Sequence, residues 1–326
     1  MRNDQMNEFS LIKRYFQDRQ PIHRPDVLLG IGDDCALLQV PEGQALAISI
    51  DTSVAGVHFL HDTPAAAVGY KSLAVSLSDL AAMGAEPAWV TVAATLPEIN
   101  TDWIKDFSEG LFRLAQQFSV QVVGGDTTRG PLSISTAVHG FVPPQQALRR
   151  CGAKPGDIIM VSGMLGDAGV GLEIALGKRQ LAGSGRDYFL QRLNYPIPRI
   201  NLGLLLRDYA SAAIDLSDGL AGDLGHIINQ SRTGALLNLP ALPYSSAMLN
   251  HIRVAEAENF ALHAGDDYEL CFTVPPAQLP ALLAAAKHLN CLMTPIGVIE
   301  AELGLRGKTA DGKTCTLSTE GYQHFL

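Results

Sequence analysis

Apolar positions along this chain come in short runs whose period switches between two and about 3.6, with Gly, Pro, Asp and Ser at the breaks. Phe9, Ile12 and Phe16 share a helical stripe near the N-terminus. Val27 to Gly30 is expected as a short strand that runs into the loop Gly30-Ile-Gly-Asp-Asp34. Cys35 to Leu38 and Ala45 to Ile50 follow as strands around the turn Pro41-Glu-Gly43. Residues from about Ala65 to Gly84 are rich in Ala, Gly and Ser, a composition that lets a helix pack closely on a sheet, and Gly84 suits its C-cap. Trp89 to Leu96 predicts a strand stopped by Pro97. Trp103, Ile104, Phe107, Leu111, Leu114 and Phe118 then mark a helix over Thr101 to Phe118. Val120 to Val123 is a buried strand leading into Gly124-Gly-Asp-Thr-Thr128, and Leu132 to Val142 is a further strand.

The Pro-rich, polar stretch between Pro143 and Gly156 separates two such patterns. It predicts an N-terminal domain over residues 1–143, a linker over 144–156 and a C-terminal domain over 157–326. In the second part, strands are expected at Ile158 to Ser162, Ala212 to Leu216, near Leu236, at Tyr268 to Val274 and near Ile296. Helices are expected from the Gly163–Gly169 loop to Gly177, around Leu190 and Leu204, and from Pro276 to His288. The fold class is therefore α/β, with an α+β second half, and no repeat of solenoid spacing is present.

Length supports two domains, since 326 residues exceed what one hydrophobic core usually holds. Gly is plentiful at 31 residues and only 17% of positions are charged, which fits a Gly-punctuated α/β enzyme. The net charge of −9 argues against nucleic-acid binding, because no clustered basic face accompanies it. Five cysteines without a CxxC pair signal neither a disulfide framework nor a zinc site. With no signal-peptide core and no apolar run long enough to span a bilayer, a cytoplasmic, membrane-free protein is expected.

Chemistry enters with the carboxylates. Asp51 closes the apolar run Ala45 to Ile50, and Asp79 sits amid Leu73, Ala74, Val75, Leu77, Leu80 and Met83. A carboxylate in apolar surroundings is protonated, paired or bound to a cation; as alternatives, Asp51 is a helix cap and Asp79 lies on a solvated face. Acid recurs beside Gly, Ser or Thr in GIGDD at Gly30, DTS at Asp51, GGDTT at Gly124, DLSDG at Asp215 and GDDYE at Gly265. Each alone is equally well a turn. Their recurrence suits a site for several hard cations and a polyphosphate. Walker A, GxGxxG, EF-hand, GxSxG and HExxH signatures are all missing.

GIGDDCALL, DTSVAGVHF, SLSDLAAMGAEPAW, GGDTTRGPLSIS, GAKPGD, AIDLSDGLAGDLGHI and GDDYELCFTV together resemble, in order and spacing, the thiamine-monophosphate kinase family of the aminoimidazole ribonucleotide synthetase-related superfamily. The resemblance extends from about Phe9 to Tyr322. It implies transfer of the ATP γ-phosphoryl group to thiamine monophosphate, with several magnesium ions, in one direct in-line step. It implies magnesium ligation by Asp34, Ser49, Ile50, Asp51, Asp79, Asp126, Asp215 and Asp218, with Asp51, Asp126 and Asp218 central to catalysis. ATP contacts are implied at Gly125, Asp126, Arg150 and Ser217, and substrate contacts at His58, Asp266 and Tyr322. The implied architecture is a homodimer in which N-terminal α/β domains pack strands together, with a C-terminal α/β domain beside each.

One position departs from the family pattern, which has Glu where this chain has Asp266. The shorter side chain retracts the carboxylate by about one methylene and favours a water-mediated contact. Among relatives of the same superfamily, selenophosphate synthesis would want a reactive Cys or selenocysteine in an N-terminal Gly-rich segment, and the hydrogenase-maturation protein a C-terminal Cys. This chain ends Tyr-Gln-His-Phe-Leu. A non-catalytic nucleotide- or cation-binding protein of the same fold would differ only in lacking turnover.

Overall fold

A computed structural model describes residues 7–321, and the chain divides into two compact units. The first comprises the chain up to Leu80 together with Glu86–Pro144; the second comprises Ala81–Ala85 with Gln145–Leu326. The last two residues of one helix, Ala81 and Ala82, and the turn after it thus belong to the second unit, a division that the Pro-rich stretch alone does not mark. Among the described residues no helix is long and apolar enough to cross a membrane.

In the first unit, helix α1 (Glu8–Ile12) is capped by Asn7 and continues as a π-helical turn over Lys13–Gln17. Strands β1 (Val27–Leu29) and β2 (Leu37–Leu38) form a small antiparallel pair. The main sheet has the order β3 (Ala45–Val54), β6 (Ser133–Val142), β4 (Glu86–Leu96), β5 (Gln121–Arg129), so β3 and β5 are its edges. Helices α2 (Ala65–Ala82) and α3 (Thr101–Gln117) belong to the same unit. They approach backbone to backbone where two glycines permit it: a Cβ on Gly69 would lie 2.0 Å from the Phe107 carbonyl oxygen, and one on Gly110 1.9 Å from that of Ala66. Gly84 takes a left-handed φ of +62° and donates to the Ala81 carbonyl, closing α2 as its sequence predicts.

Two expectations for this unit are corrected. DTS and GGDTT are not loops, because Asp51 to Val54 and Gly124 to Thr128 lie inside β3 and β5. Nor is β3 a uniformly buried strand. Its inward face is the small and polar one (Ala45, Ala47, Ser49, Asp51), whereas Leu46, Ile48 and Ile50 point outward and are 40%, 60% and 67% exposed.

The second unit is built on a seven-stranded mixed sheet of order β13-β12-β9-β11-β7-β10-β8. Its strands are β7 (Ile158–Ser162), β8 (Ala212–Asp215), β9 (Gly234–Asn238), β10 (Leu270–Val274), β11 (Met293–Glu300), β12 (Gly304–Lys308) and β13 (Thr314–Thr316). Helices α4 (Asp167–Ala175), α5 (Gly183–Asn194), α6 (Ile200–Leu206), α7 (Leu220–Ser231), α8 (Ser246–His251), α9 (Val254–His263) and α10 (Leu279–Ala285) complete it. The core joins Ile159 and Val161 of β7, Ile214 of β8, Leu224, Ile227 and Ile228 of α7, and Cys271 of β10. GDDYE does not follow a strand; it links α9 to β10. No helix is expected from the sequence at α7 to α9, and no strand at β12 or β13, although Leu220, Leu224, Ile227 and Ile228 of α7 stand at helical spacing.

Candidate active site

In the first unit, a close strand–helix contact assembles the candidate residues. Ser49 and Asp51 are two apart on β3 and so share the face turned toward α2, where Ser76 and Asp79 lie one turn apart. The Ser49 hydroxyl donates to the Asp79 carboxylate. Thr136, the cross-strand neighbour of Asp51, bonds the Ser76 hydroxyl at 2.8 Å and donates to the Ser72 carbonyl at 2.7 Å. Small hydroxyl side chains therefore seat α2 on the sheet, and Asp51 and Asp79 face the same space. Burial pushes the Asp51 carboxyl above its ordinary range against an opposing hydrogen bond from Ser76, and its Oδ2 is buried without a hydrogen-bond partner. An orphaned buried carboxylate oxygen beside a second carboxylate and a hydroxyl is an all-oxygen donor set, which suits a hard cation such as Mg2+. Among the described residues no three acidic, His or Cys side chains form a cage for an ion by themselves.

Asp126 departs from the single acidic cluster that the sequence suggested. Its register partner on β4 is Ala93, which aligns through Ser135 of β6 with Thr52 of β3, whereas Asp51 aligns through Thr136 and Val92 with Gly125. Asp126 consequently projects from the opposite face of the sheet, three strand spacings or about 14 Å from Asp51. The alternation of side chains along β5 makes this unavoidable once GGDTT is strand. The Ile50 side chain points outward and has no donor atom, so Ile50 could ligate an ion only through its main-chain carbonyl. Asp34 is exposed in its loop, where its N–H donates to the Asp33 carboxylate at 2.8 Å. His58 lies on the turn after β3, and its Nδ1 accepts from the Val54 N–H at 3.0 Å, leaving Nε2 as the protonated nitrogen of the neutral ring.

In the second unit, two loops meet at one end of β8 and β10. Asp215 closes β8 opposite Leu270 of β10. The Asp266 N–H donates to the Ser217 carbonyl at 3.0 Å and the Tyr268 N–H to that of Leu216 at 2.8 Å. Asp218 donates its N–H to Asp223 at 3.1 Å. Asp223, which the sequence reading passed over, is buried on the first turn of α7; its carboxyl is pushed up to about 8 by burial and by the charges of Asp215 and Asp218, with the Asp218 N–H and Arg150 acting the other way. Arg150 thus belongs to this group, on a segment whose preceding residue hydrogen-bonds β8 through Ala213. Asp215, Ser217, Asp218, Asp266 and Arg150 are therefore neighbours. Tyr322 lies outside the described residues; Gly321 before it packs against Asp218, close enough that an added Cβ would sit 3.1 Å from the Asp218 Cβ.

The sequence profile of the AIR synthase related protein N-terminal domain matches residues 32–142, and that of the corresponding C-terminal domain matches residues 154–308. The thiamine-monophosphate kinase of Escherichia coli K12 is 52% identical over 319 residues, covering 98% of each chain. The chain belongs to the thiamine-monophosphate kinase family. Solved structures agree: the thiamine-monophosphate kinase of Stenotrophomonas maltophilia K279a superposes with a TM-score of 0.84 at 46% identity, over 89% of this chain and 93% of that one. A structure described as AaThiL complexed with AMPPCP and TMP has a TM-score of 0.77 at 28% identity, over 100% and 99%. The two-domain AIR synthase-like α/β fold of the thiamine-monophosphate kinases is therefore the fold of this chain.

Proposed function

We propose that this chain transfers the γ-phosphoryl group of ATP to the phosphate of thiamine monophosphate, giving thiamine diphosphate and ADP in one in-line step. The observation that carries this reading is the relationship over 98% of both chains to a thiamine-monophosphate kinase. The site chemistry is consistent with it. A phosphate monoester is already a nucleophile near neutral pH, so the protein must mainly bring two anions together and hold them in line. Mg2+, when bound, supplies charge neutralisation for the phosphates and the developing transition state.

Ser49, Asp51 and Asp79 in the first unit, with the Ile50 carbonyl, and Asp215 and Asp218 in the second, would hold the ions; Asp34 lies on an open loop that could add a ligand. Gly125, Asp126, Arg150 and Ser217 would take ATP, with the Arg150 guanidinium suited to bridging phosphate oxygens. His58, Asp266 and Tyr322 would take thiamine monophosphate. The open sheet face with Leu46, Ile48 and Ile50 also carries Asp126, and burying it against a second copy would give the homodimer and set Asp126 at the subunit seam. Domain limits at 1–143 and 157–326 go with this reading.

The test uses purified protein with ATP, magnesium and thiamine monophosphate, with thiamine diphosphate followed by chromatography. Stoichiometric thiamine diphosphate and ADP are expected. ADP released with the phosphoryl group on another acceptor, and no thiamine diphosphate, would end the kinase reading.

A further inference from the structure

The GDDYE segment alternates. Asp266 and Tyr268 are half-buried beside the Ser217 loop, while Asp267 and Glu269 are 4% and 1% exposed. Both half-buried residues adopt left-handed backbone, with φ of +69° at Asp266 and +48° at Tyr268. An aromatic residue there is a true outlier, and a segment with two such residues persists only where its surroundings over-determine it.

The surroundings do so through the buried carboxylates. Glu269 receives the Arg199 guanidinium bidentately, Nε and Nη2 each at 2.6 Å, together with Arg192 Nη2 at 3.1 Å and the Ser162 hydroxyl at 2.6 Å. Burial alone would raise its pKa, but the two guanidinium groups outweigh burial and hold the carboxyl below its ordinary value, so it remains charged. Its space is reserved as well: a Cβ on Gly163 would fall 2.1 Å from the Glu269 carboxylate. Asp267 accepts from the Gly166 N–H at 2.6 Å and the Ala168 N–H at 3.4 Å, so that it caps α4 from another part of the chain. Arg192 reaches on to Asp167, 3.8 Å away, which is itself held by Tyr188 and Ser245. The loop bearing Ser217 has separate anchors in β8 and in the Asp218–Asp223 bond.

We propose that Arg199, with Arg192 in a lesser part, is a positioning residue for thiamine monophosphate: through Glu269 it fixes the strained Gly265–Tyr268 loop and so the direction of Asp266. This rests on the reading of that loop as the substrate-contacting one. Although the Ser217 loop is bonded to this segment through the Asp266 and Tyr268 N–H groups, it has further anchors in β8 and in the Asp218–Asp223 bond, so loosening the cage acts first on thiamine monophosphate and less on ATP.

The test is steady-state kinetics of the full-length protein carrying Arg199→Lys, Arg192→Lys, Asp266→Ala and Arg199→Lys with Asp266→Ala. Lysine keeps the charge and loses the two-pronged geometry. Arg199→Lys is expected to raise KM for thiamine monophosphate about tenfold, and Arg192→Lys about threefold, with KM for ATP within about twofold of wild type. In the Asp266→Ala background the Arg199 substitution should add little further. Equal rises in both KM values, or full additivity with Asp266→Ala, would overturn the positioning role and leave a general fold defect. An Asp266→Ala protein with unchanged KM overturns the Asp266 contact instead, while a selective Arg199 effect still stands for the loop. Should Arg199→Lys fail to fold by circular dichroism, Arg192→Lys, which leaves the bidentate pair intact, decides by the same selectivity.

Discussion

Two groups of buried carboxylates in this molecule have opposite fates. Glu269 and Asp267 are saturated: every oxygen has a guanidinium, hydroxyl or backbone N–H against it. Asp51 is left short, with an oxygen buried and unpartnered. The first arrangement is complete within the chain and holds a strained loop. The second costs stability as it stands and becomes favourable when a cation supplies the missing charge. Burial of an acid is therefore not by itself a sign of a site; what separates Glu269 from Asp51 is that the chain brings Glu269 its own counter-charge.

That contrast is open to direct attack, beginning with the largest effect. Asp51→Asn and Asp218→Asn should each lower turnover at least about a hundredfold in the chromatographic assay, since losing a metal ligand removes several kcal/mol of charge stabilisation, and Asp126→Asn should do the same through the loss of its place at ATP. Asp51→Asn should do so with no loss in Tm of the metal-free protein, because it removes an uncompensated buried charge. Wild-type turnover in any of the three would show that residue misassigned.

Glu269→Gln is the opposite experiment. It strands Arg199 and Arg192 in a buried setting and should cost about 3–5 kcal/mol in a denaturant melt. A loss below about 1 kcal/mol would mean that the cage is not saturated in solution.

The pH dependence of stability gives a third, smaller effect. Burial pushes the Asp267 carboxyl up to about 7 despite Arg192 and the Gly166 N–H. A carboxyl whose folded pKa exceeds its unfolded value of about 3.9 contributes stability below that value, and the contribution is lost as pH rises toward 7. Asp267→Asn, which cannot ionise, should therefore gain on wild type by a few degrees in Tm between pH 4 and 7, and the difference should level off above pH 7. A difference that stays flat across this range would assign Asp267 an ordinary carboxylate pKa.

Smallest of all, Asp266→Glu installs the side chain that the family resemblance implies at this position and should shift KM for thiamine monophosphate by about two- to threefold while leaving Tm alone. An identical KM would argue against a contact at this position.

Much of the chemistry was legible in the chain itself. The spacing of seven motif blocks determined the family. The place of Asp51 and Asp79 within apolar runs singled them out, but left them protonated, paired or cation-bound, or a helix cap and a solvated side chain. Helix α3 was equally plain, since an amphipathic stripe needs no partner to be recognised.

Only the tertiary structure decided which way residues face and who pairs with whom. Register across β3, β6, β4 and β5 sends Asp126 to the opposite side of the sheet from Asp51, although both follow apolar runs in the same manner. Strand alternation has a period of two, so one residue of register turns a ligand into its opposite, and register is set by neighbours distant in sequence. The same holds for GDDYE. Its four acidic and aromatic side chains look alike as a motif, yet two are consumed by arginines and helix ends some 70 to 100 residues away. No local pattern around Arg192 or Arg199 announces that role, because a buried ion pair is defined by long-range contact alone.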